Sequence, residues 1–313
     1  MAAEYIALGI IIDDIVFPDG QTQMGVLGGG GPQTAWGMAL ATQDGAQVGM
    51  LSGVGQDFTP DLLAPLLAMD IDVTGVHATN LPTPRAWQLL EEDGRRQHVW
   101  RIDQDTADLQ THPDAPTILQ FYPAATVVHW GIHPEAPHLS PAQPLREQDV
   151  LVSIEPFKGL EQPLTDDDLQ AVLTACAIYS PNWAEAVSIF GTADRKTILE
   201  RARQQGGYIL VLRHGPAGAE AWDLHRGHGI KVPAVPVDTV VDPVGAGDAF
   251  CGAFAVTWQQ TNSLAKAAIS GAVAASYMLE QIGIPTRRPT TESINQRKQS
   301  VYSAVQTLNF DNL

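Results

Sequence analysis

Residues 237–254, with the sequence VDTVVDPVGAGDAFCGAF, are the stretch that most constrains what this chain can fold into. The stretch opens with apolar, β-branched residues, breaks at Asp242 and turns through Gly245 and Gly247. A run of small and apolar residues that begins at Asp248 then has the composition of a helix. The first amides of a helix lack internal partners, and the helix dipole adds partial positive charge there. The pattern therefore predicts an anion site built from strand, glycine turn and helix N-terminus.

Asp248 is the unusual member of this predicted anion site. Gly245 and Gly247 would let the backbone adopt positive φ and approach a ligand closely. A carboxylate, however, repels a phosphate unless it takes part in the chemistry. As a base on a substrate hydroxyl, Asp248 would lie beside the phosphoryl group being transferred. The simpler interpretation is a strand-to-helix turn capped by Asp248, and the four residues Gly-Ala-Gly-Asp alone do not decide between the two.

The longer pattern Asp-x-x-Gly-Ala-Gly-Asp, followed by small residues, resembles the C-terminal signature of the ribokinase-like (PfkB) sugar kinases. In that family the last Asp is the catalytic base, the Gly-Ala-Gly amides form the anion hole, and the first Asp helps to bind a monovalent cation. Residues 283–286 resemble the second half of the family's cation loop. The resemblance implies these roles for Asp248, for Gly245, Ala246 and Gly247, and for Asp242 with Gly283.

Composition excludes several classes of protein. The length of 313 residues suits one α/β domain with additions, so we expect residues 1–313 to form a single domain. The 18 Lys and Arg against 35 Asp and Glu give a formal net charge of -17, with no basic cluster beyond two Arg-Arg pairs. This balance argues against a nucleic-acid partner. No signal-peptide pattern and no apolar run of ~20 residues is present, so we expect a cytoplasmic protein without a membrane partner.

Strand-like and helix-like segments alternate along most of the chain. This rhythm predicts an α/β fold with a doubly wound, mostly parallel sheet, and the resemblance implies the ribokinase-like version. Residues 5–12 are predicted as the first strand, which would end at the carboxyl edge where such sheets bind ligands. Residues 84–103 are predicted as a hairpin that turns at Asp93-Gly94. With residues 15–27, this hairpin is expected to form a small β-strand lid.

Four consecutive glycines, residues 28–31, precede Gln33 and a predicted helix. They form either a plain flexible loop or a close backbone approach to a small polar ligand. The second interpretation resembles the family's N-terminal signature, in which a Gly-Gly loop leads to an amide residue that holds sugar hydroxyls. The family usually has Asn where this chain has Gln33. The resemblance implies substrate contacts from Gly29, Gly30 and Gln33, from Asp14 after the first predicted strand, and from His133.

Further candidate residues follow three later strands. Asn182 and Glu185 are either a helix cap with a first-turn acid or the family's Asn-x-x-Glu motif, which organises Mg²⁺ and the phosphates. Arg213 either clamps a phosphate or is an exposed strand-end cation. The resemblance assigns Gly215 and Gly218 to a turn under the nucleotide.

Glu155, which follows another predicted strand, is a distal Mg²⁺ group or a surface acid.

Together these resemblances imply an ATP-dependent phosphotransferase that acts on a hydroxymethyl group of a sugar-like small molecule, with Mg²⁺ and, as a candidate, K⁺. A nucleoside, inositol or vitamin precursor is an alternative acceptor. A second alternative is that the protein is a catalytically silent relative that binds a metabolite. The length of Gln33, the low wall at Gly30, and Trp87 and Trp100 of the lid favour a nucleoside-like or ring-bearing acceptor over free ribose. Alternatively, both tryptophans pack in a homodimer interface made by the lid.

Overall fold

The structure, a computed structural model, describes residues 2–42, 44–92 and 96–312, without the side chains of Arg96 and Asn312. The predicted hairpin turn at Asp93-Gly94 lies outside these residues. The strands are Tyr5–Leu8 (β1), Ile11–Val16 (β2), Thr22–Gly28 (β3), Val48–Val54 (β4), Asp72–Ala78 (β5), Arg85–Leu90 (β6), Arg96–Trp100 (β7), Val127–Ile132 (β8), Leu151–Pro156 (β9), Ile178–Tyr179 (β10), Ile209–Arg213 (β11), Ala219–Asp223 (β12), His228–Val232 (β13) and Gln306–Asn309 (β14).

The strands form two sheets. Over the described residues, a 10-stranded sheet has the order β14-β13-β12-β11-β10-β9-β8-β1-β4-β5, and a 4-stranded sheet has the order β3-β2-β6-β7. In the order of the large sheet, neighbouring strands from β11 to β5 pair in parallel. The neighbouring strands from β11 to β14, at the other edge, pair antiparallel. The mostly parallel sheet predicted from the alternation is therefore confirmed.

Helices cover both faces of the large sheet. Two separate apolar cores, each made of helix and strand residues, lie against it. Trp36, Phe254 and Ala268 belong to one core, and Ile118 and Leu169 to the other. The doubly wound α/β fold is thus confirmed. The helices are Gly31–Thr42 (α1), Ala64–Leu67 (α2), Gln104–Thr111 (α3), Ala115–Phe121 (α4), Ala142–Arg146 (α5), Asp166–Ala175 (α6), Trp183–Phe190 (α7), Arg195–Gln204 (α8), Ala246–Thr261 (α9), Leu264–Met278 (α10) and Thr291–Tyr302 (α11). Among the described residues, none of these helices combines the length and apolar character that a membrane span requires.

The predicted first strand, residues 5–12, is wrong as a single element. Gly9 has φ 87° and separates β1, in the large sheet, from β2, in the small one. A continuous apolar run does not reveal such a break, because both strands are buried and give the same pattern. Residues 13 and 14 therefore lie within a strand of the small sheet and not at the end of a strand of the large one.

The apolar run at residues 237–241 is not a strand either. Residues 233–245, between β13 and α9, pair with no strand of the described part of the chain, and Val240 and Val241 are exposed. Helix α9 follows directly and packs against α1 with the two backbones in contact. A Cβ on Gly37 would lie 2.2 Å from the Ala249 carbonyl oxygen, and one on Gly252 would lie 2.2 Å from that of Thr34. This packing brings together the glycine-rich turns that open the two helices.

Candidate active site

Helix α9 begins at Ala246, two residues before Asp248, where the sequence predicted the helix to begin. Gly245 is the N-cap, with φ 80°, a left-handed conformation that favours glycine. Asp248 is the third residue of the helix, and a Cβ on Gly30 would lie 2.6 Å from its Oδ1. Since Gly245 occupies the N-cap position, the interpretation of Asp248 as the residue that caps the turn is wrong. The carboxylate instead lies where the two glycine-rich turns meet.

Gly247 serves a different purpose from the one predicted. It lies inside α9 and is absent from the glycines with positive φ, so conformational freedom does not explain it. A Cβ at this position would lie 2.0 Å from Nη1 of Arg213. The missing side chain therefore makes room for a guanidinium group.

Asp242 joins the two halves of the predicted cation loop. Its carboxylate is buried, with Oδ1 accepting from the Val244 amide at 2.9 Å and Oδ2 from the Gly283 amide at 3.4 Å. Gly283 has φ 70°. The structure thus brings Asp242 and Gly283 into contact across about forty residues of sequence.

A cavity lies between the two sheets, in front of the α9 N-terminus. The large-sheet side of it includes Gly29, Gly30, Gln33 and Asp248. The small sheet contributes Ile11, Asp13, Gln88 and His98 to the wall of the cavity. Phe157 and Val244 complete the lining. The small sheet therefore lies over the predicted catalytic residue, as expected for a lid.

Two glutamine oxygens in this cavity have no hydrogen-bond partner among the residues that the structure describes. Gln33 donates from Nε2 to the Leu27 carbonyl at 3.3 Å, and its buried Oε1 accepts nothing. Gln88 donates from Nε2 to Asp13 Oδ1 at 2.9 Å, and its Oε1 is also buried without a partner. Buried acceptors are almost always satisfied in folded proteins. The pair therefore fits a ligand that presents hydroxyl or amine donors.

Asp14, predicted to contact the substrate, faces away from this cavity. Its Oδ1 accepts from the Gly25 amide at 2.8 Å, and its Oδ2 pairs with Arg101. Asp13 lines the cavity instead. The correction follows from strand geometry, since successive side chains of β2 point to opposite faces of the sheet.

The same alternation separates the two tryptophans. Trp87 pairs with Val99, and the Arg101 guanidinium lies 5.2 Å from its ring centroid, so Trp87 lies on the face of the small sheet away from the cavity. The prediction that Trp87 faces a ligand is therefore wrong. Trp100 shares the other face with His98, with ring centroids 4.6 Å apart.

His133 is buried behind the cavity wall. Its ring lies 5.3 Å from that of Phe157, which lines the cavity, and His133 is not itself a lining residue. Burial lowers the pKa of His133 below its usual range, which favours the neutral ring. His133, predicted to contact the sugar, thus contacts a cavity residue but does not itself line the cavity.

Asn182 and Glu185 form a capping box at the start of α7. Asn182 Oδ1 accepts from the Glu185 amide at 2.9 Å, and Glu185 Oε2 accepts from the Asn182 amide at 2.7 Å. The interpretation as a helix cap is therefore confirmed. Their role towards Mg²⁺ stays a prediction, although the cap does not exclude it.

Arg213 is not an exposed strand-end cation. Its side chain is only 12% exposed, and Nη2 donates to the Ser180 carbonyl at 2.7 Å and pairs with Glu155 Oε2 at 2.8 Å. Glu155 is accordingly not a surface acid, and its role towards a distal Mg²⁺ stays a prediction. Burial would raise the pKa of Glu155, but Arg213 and His129 lower it to about 2.

The predicted nucleotide turn follows β11. Residues 215–217 form one 3-10 turn, with Gly215 at φ 55° and Gly218 at φ 91°. A Cβ on Gly218 would lie 2.0 Å from the Val232 carbonyl oxygen. His214, in the same turn, stacks near Trp183 at the start of α7, with ring centroids 5.0 Å apart. Arg213, Gly215 and the Asn182 cap therefore share one end of the sheet.

Sequence reasoning placed Asp13 beside Asp14 at the end of the first predicted strand but assigned the substrate contact to Asp14, and it gave no site role to Gln88, His98, His129 or Cys251. Asp13, Gln88 and His98 are cavity residues of the small sheet, and period-2 alternation along its strands could have found them. His129 and Cys251 are buried partners of Glu155 and belong to other elements of the chain, so no local pattern points to them.

Comparison with known proteins decides the family. The profile of the pfkB family carbohydrate kinases matches residues 7–291. The chain belongs to this family. A cytidine kinase of Thermococcus kodakarensis is 28% identical over 88% of this chain and 95% of its own. The prediction of an ATP-dependent small-molecule kinase is thereby confirmed.

Solved structures share the fold. A Burkholderia thailandensis nucleoside kinase in complex with inosine aligns with TM-score 0.73 at 15% identity, covering 96% of this chain and 98% of its own. A putative ribokinase II from E. coli in complex with ATP and Mg²⁺ aligns with TM-score 0.71 at 18% identity, covering 96% and 100%. The ribokinase-like fold class predicted from the sequence is confirmed.

Proposed function

We propose that this enzyme transfers the γ-phosphoryl group of ATP to the hydroxymethyl group of a nucleoside. The observation that carries the proposal is the cavity in which Asp248, at the N-terminus of α9, faces the unpartnered Oε1 atoms of Gln33 and Gln88. A ribose ring presents several hydroxyl donors to such acceptors. The named activity of the Thermococcus relative and the inosine bound to the Burkholderia enzyme support a nucleoside over a free sugar.

In the proposed reaction, Asp248 accepts the proton of the acceptor hydroxyl as its oxygen attacks the γ-phosphorus. The new P–O bond forms as the bond to the bridging oxygen of ADP breaks, and Asp248 later releases its proton to solvent. The amides of Gly245, Ala246 and Gly247 would stabilise charge on the migrating group. Closure of the small sheet would exclude water, which competes as acceptor.

The residues near the proposed phosphate site fit ATP with Mg²⁺. The Gly215 to Gly218 turn would lie under the nucleotide. Carboxylate and amide oxygens suit Mg²⁺, which keeps several of its waters. Because Asn182 Oδ1 and Glu185 Oε2 already serve the capping box, we propose that they hold the ion through its water shell. Mg²⁺ would neutralise charge on the phosphates.

Asp242 and Gly283 are proposed to hold K⁺ beside the anion-hole turn. Their contact brings a buried carboxylate and a left-handed glycine loop together. Activity should then differ between K⁺, Na⁺ and a bulky organic cation at equal ionic strength. Equal rates in all three would leave Asp242 as a plain loop anchor.

We further propose that the chain is one kinase domain whose small sheet, about residues 15–27 and 84–103, acts as a lid and carries a homodimer interface. The outward position of Trp87 and the exposure of Met24 and Val99 support this. Sedimentation of the wild type against a Val99→Lys variant tests it. Two monomeric species would contradict the dimer.

The experiment that tests the function is ATP turnover across nucleosides, ribose, inositols and other polyols. A nucleoside should give the highest kcat/KM. If ribose is the best acceptor, the nucleoside assignment is wrong while the kinase assignment holds. If no acceptor in the panel stimulates turnover, the catalytically silent interpretation is favoured.

A further inference from the structure

A buried guanidinium lies directly beneath the first turn of α9. Arg213 is the last residue of β11, and its Nη2 contacts both Glu155 and the Ser180 carbonyl. Its Nη1 lies where a Cβ on Gly247 would be, at 2.0 Å. The guanidinium therefore reaches from the sheet to the turn that would form the anion hole.

The orientation of Arg213 is fixed from behind. Glu155 is held at its other oxygen by His129 Nε2 at 3.1 Å, and Cys251 Sγ lies 3.4 Å from Oε2. Cys251 lies one helical turn after Gly247, on the same face of α9. The network thus contacts α9 at two successive turns and joins it to β9 and β11.

The charge of this guanidinium persists. Burial alone would lower the pKa of Arg213, but Cys251, Glu155, Glu185 and Asp248 nearby raise it above its usual value. A helix N-terminus by itself presents only about half an elementary positive charge. Arg213 Nη2 pairs with Glu155 at 2.8 Å and lies 3.7 Å from Glu185 Oε2, so the network as a whole is not positive. Its Nη1 side, which lies against Gly247, would present the positive end of this ion pair to an anion site in a region of low dielectric.

We propose that Arg213 is a positioning residue for phosphoryl transfer, which supports the first turn of α9 at Gly247 and presents the positive end of its ion pair with Glu155 behind the anion hole. The proposal rests on the proposed function. A purely structural ion pair would also orient Arg213, but it would not require that the guanidinium lie against Gly247. The requirement for glycine at position 247 then derives from Arg213 and not from backbone conformation.

The first test compares Arg213→Met with Arg201→Met in the full-length enzyme. Arg201 is a matched control, since it also joins a carbonyl, that of Phe190, to a carboxylate, that of Asp166, but lies on α8. We expect Arg213→Met to lower kcat about 10²-fold with little change in acceptor KM, as for the loss of a preorganised oxyanion donor. Arg201→Met should keep the wild-type kcat. Wild-type kcat in folded Arg213→Met, or a loss confined to KM, overturns the proposal.

Removal of Arg213 alone leaves Glu155 buried without its counter-charge, and that variant can fail to fold. The double variant Arg213→Met with Glu155→Gln removes both charges and keeps the proposal testable. A folded double variant with the wild-type kcat would overturn the proposal. The same loss of kcat in both backgrounds supports it, because the effect then follows the guanidinium and not the unpaired acid.

A double-mutant cycle with Gly247→Ala tests the contact itself. Gly247→Ala should lower kcat strongly when Arg213 is present and much less in the Arg213→Met background, since the new methyl group then has room. Additive losses overturn the role assigned to Gly247.

Chemical rescue tests the charge of Arg213. Guanidinium should restore part of the kcat of Arg213→Ala, whereas urea, which has the same shape without charge, should not. Equal effects of the two additives would show that the charge of Arg213 does not contribute to kcat. An inactive wild type, by contrast, would refute the proposed function itself.

Discussion

The two glycine-rich turns of this protein differ in what lies behind them. Residues 28–31 open α1, and residues 245–247 open α9. The turns meet, because a Cβ on Gly30 would lie 2.6 Å from Asp248 Oδ1 and one on Gly245 would lie 2.5 Å from Gln33 Cγ. Behind the first turn lies the neutral amide of Gln33, with an unpartnered oxygen.

Behind the second turn lies the ion pair of Arg213 and Glu155. A neutral, unsatisfied acceptor recognises a hydroxyl, whereas amides backed by a guanidinium favour an anion. Asp248 lies between the two and faces both. The comparison suggests that one turn selects the acceptor and the other holds the phosphoryl group, with the base at their junction.

The largest expected effect is at this junction. Asp248→Asn keeps the shape of the side chain but removes its basicity, so we expect kcat to fall by at least ~10²-fold with the fold intact. Steady-state kinetics and a thermal melt of the purified variant measure both. Asp168→Asn, which changes the third residue of α6, is the matched control and should keep the wild-type kcat. Near-normal turnover of Asp248→Asn would mean that both turns act without a base between them.

The second expected effect concerns the pH dependence of the free energy of unfolding, which should differ between the charged Glu155 behind the second turn and the neutral Gln33 behind the first. The pKa of Glu155 is about 2 in the folded protein, below the 4.5 of a free Glu. The group therefore contributes stability that is present above pH about 4.5 and is lost as pH falls towards 2, on the order of 3 kcal/mol. Urea unfolding of the wild type and Glu155→Gln should give stability curves that converge as the pH falls through this window.

Gln33→Ala provides the neutral comparison in the same experiment. An amide does not titrate, so the difference in unfolding free energy between the wild type and Gln33→Ala should stay constant over the same pH range. Parallel curves for the wild type and Glu155→Gln would show that the ion pair is not what stabilises the second turn.

The sequence predicted the second turn better than the first for a physical reason. The start of α9 is encoded locally, since Gly245 adopts its left-handed conformation within the run that also contains Asp248. The role of Gly247 was not predictable, because the atom that excludes its Cβ belongs to Arg213, more than thirty residues away.

The small sheet was predicted only in part, for a different reason. Strands β6 and β7 fall within the predicted lid segment 84–103 and β3 overlaps the segment 15–27, whereas the start of β2 was predicted as part of the first strand of the large sheet. The break at Gly9 was missed, and the substrate contact was assigned to Asp14 by resemblance, whereas Asp13 lines the cavity. Because side chains alternate between the faces of a strand, an error of one residue exchanges a cavity residue for an outward-facing one. Periodicity resolves such a question only when the ends of the strand are known.

The smallest expected effect tests the assignment of the first turn to the acceptor. The Oε1 of Gln33 is buried beside the cavity without a partner, and a hydrogen bond from a ligand hydroxyl would satisfy it. Loss of such a bond costs about 1–3 kcal/mol, so Gln33→Ala should raise the acceptor KM roughly tenfold and leave the KM for ATP unchanged. Gln110→Ala is the matched control, since Gln110 is equally buried but bonds Thr79 and the Pro82 carbonyl away from the cavity. If Gln33→Ala raises both KM values equally, the first turn does not discriminate between the substrates. If the acceptor KM stays the same, the unsatisfied oxygen does not contact the acceptor, and the division of roles between the two turns is wrong.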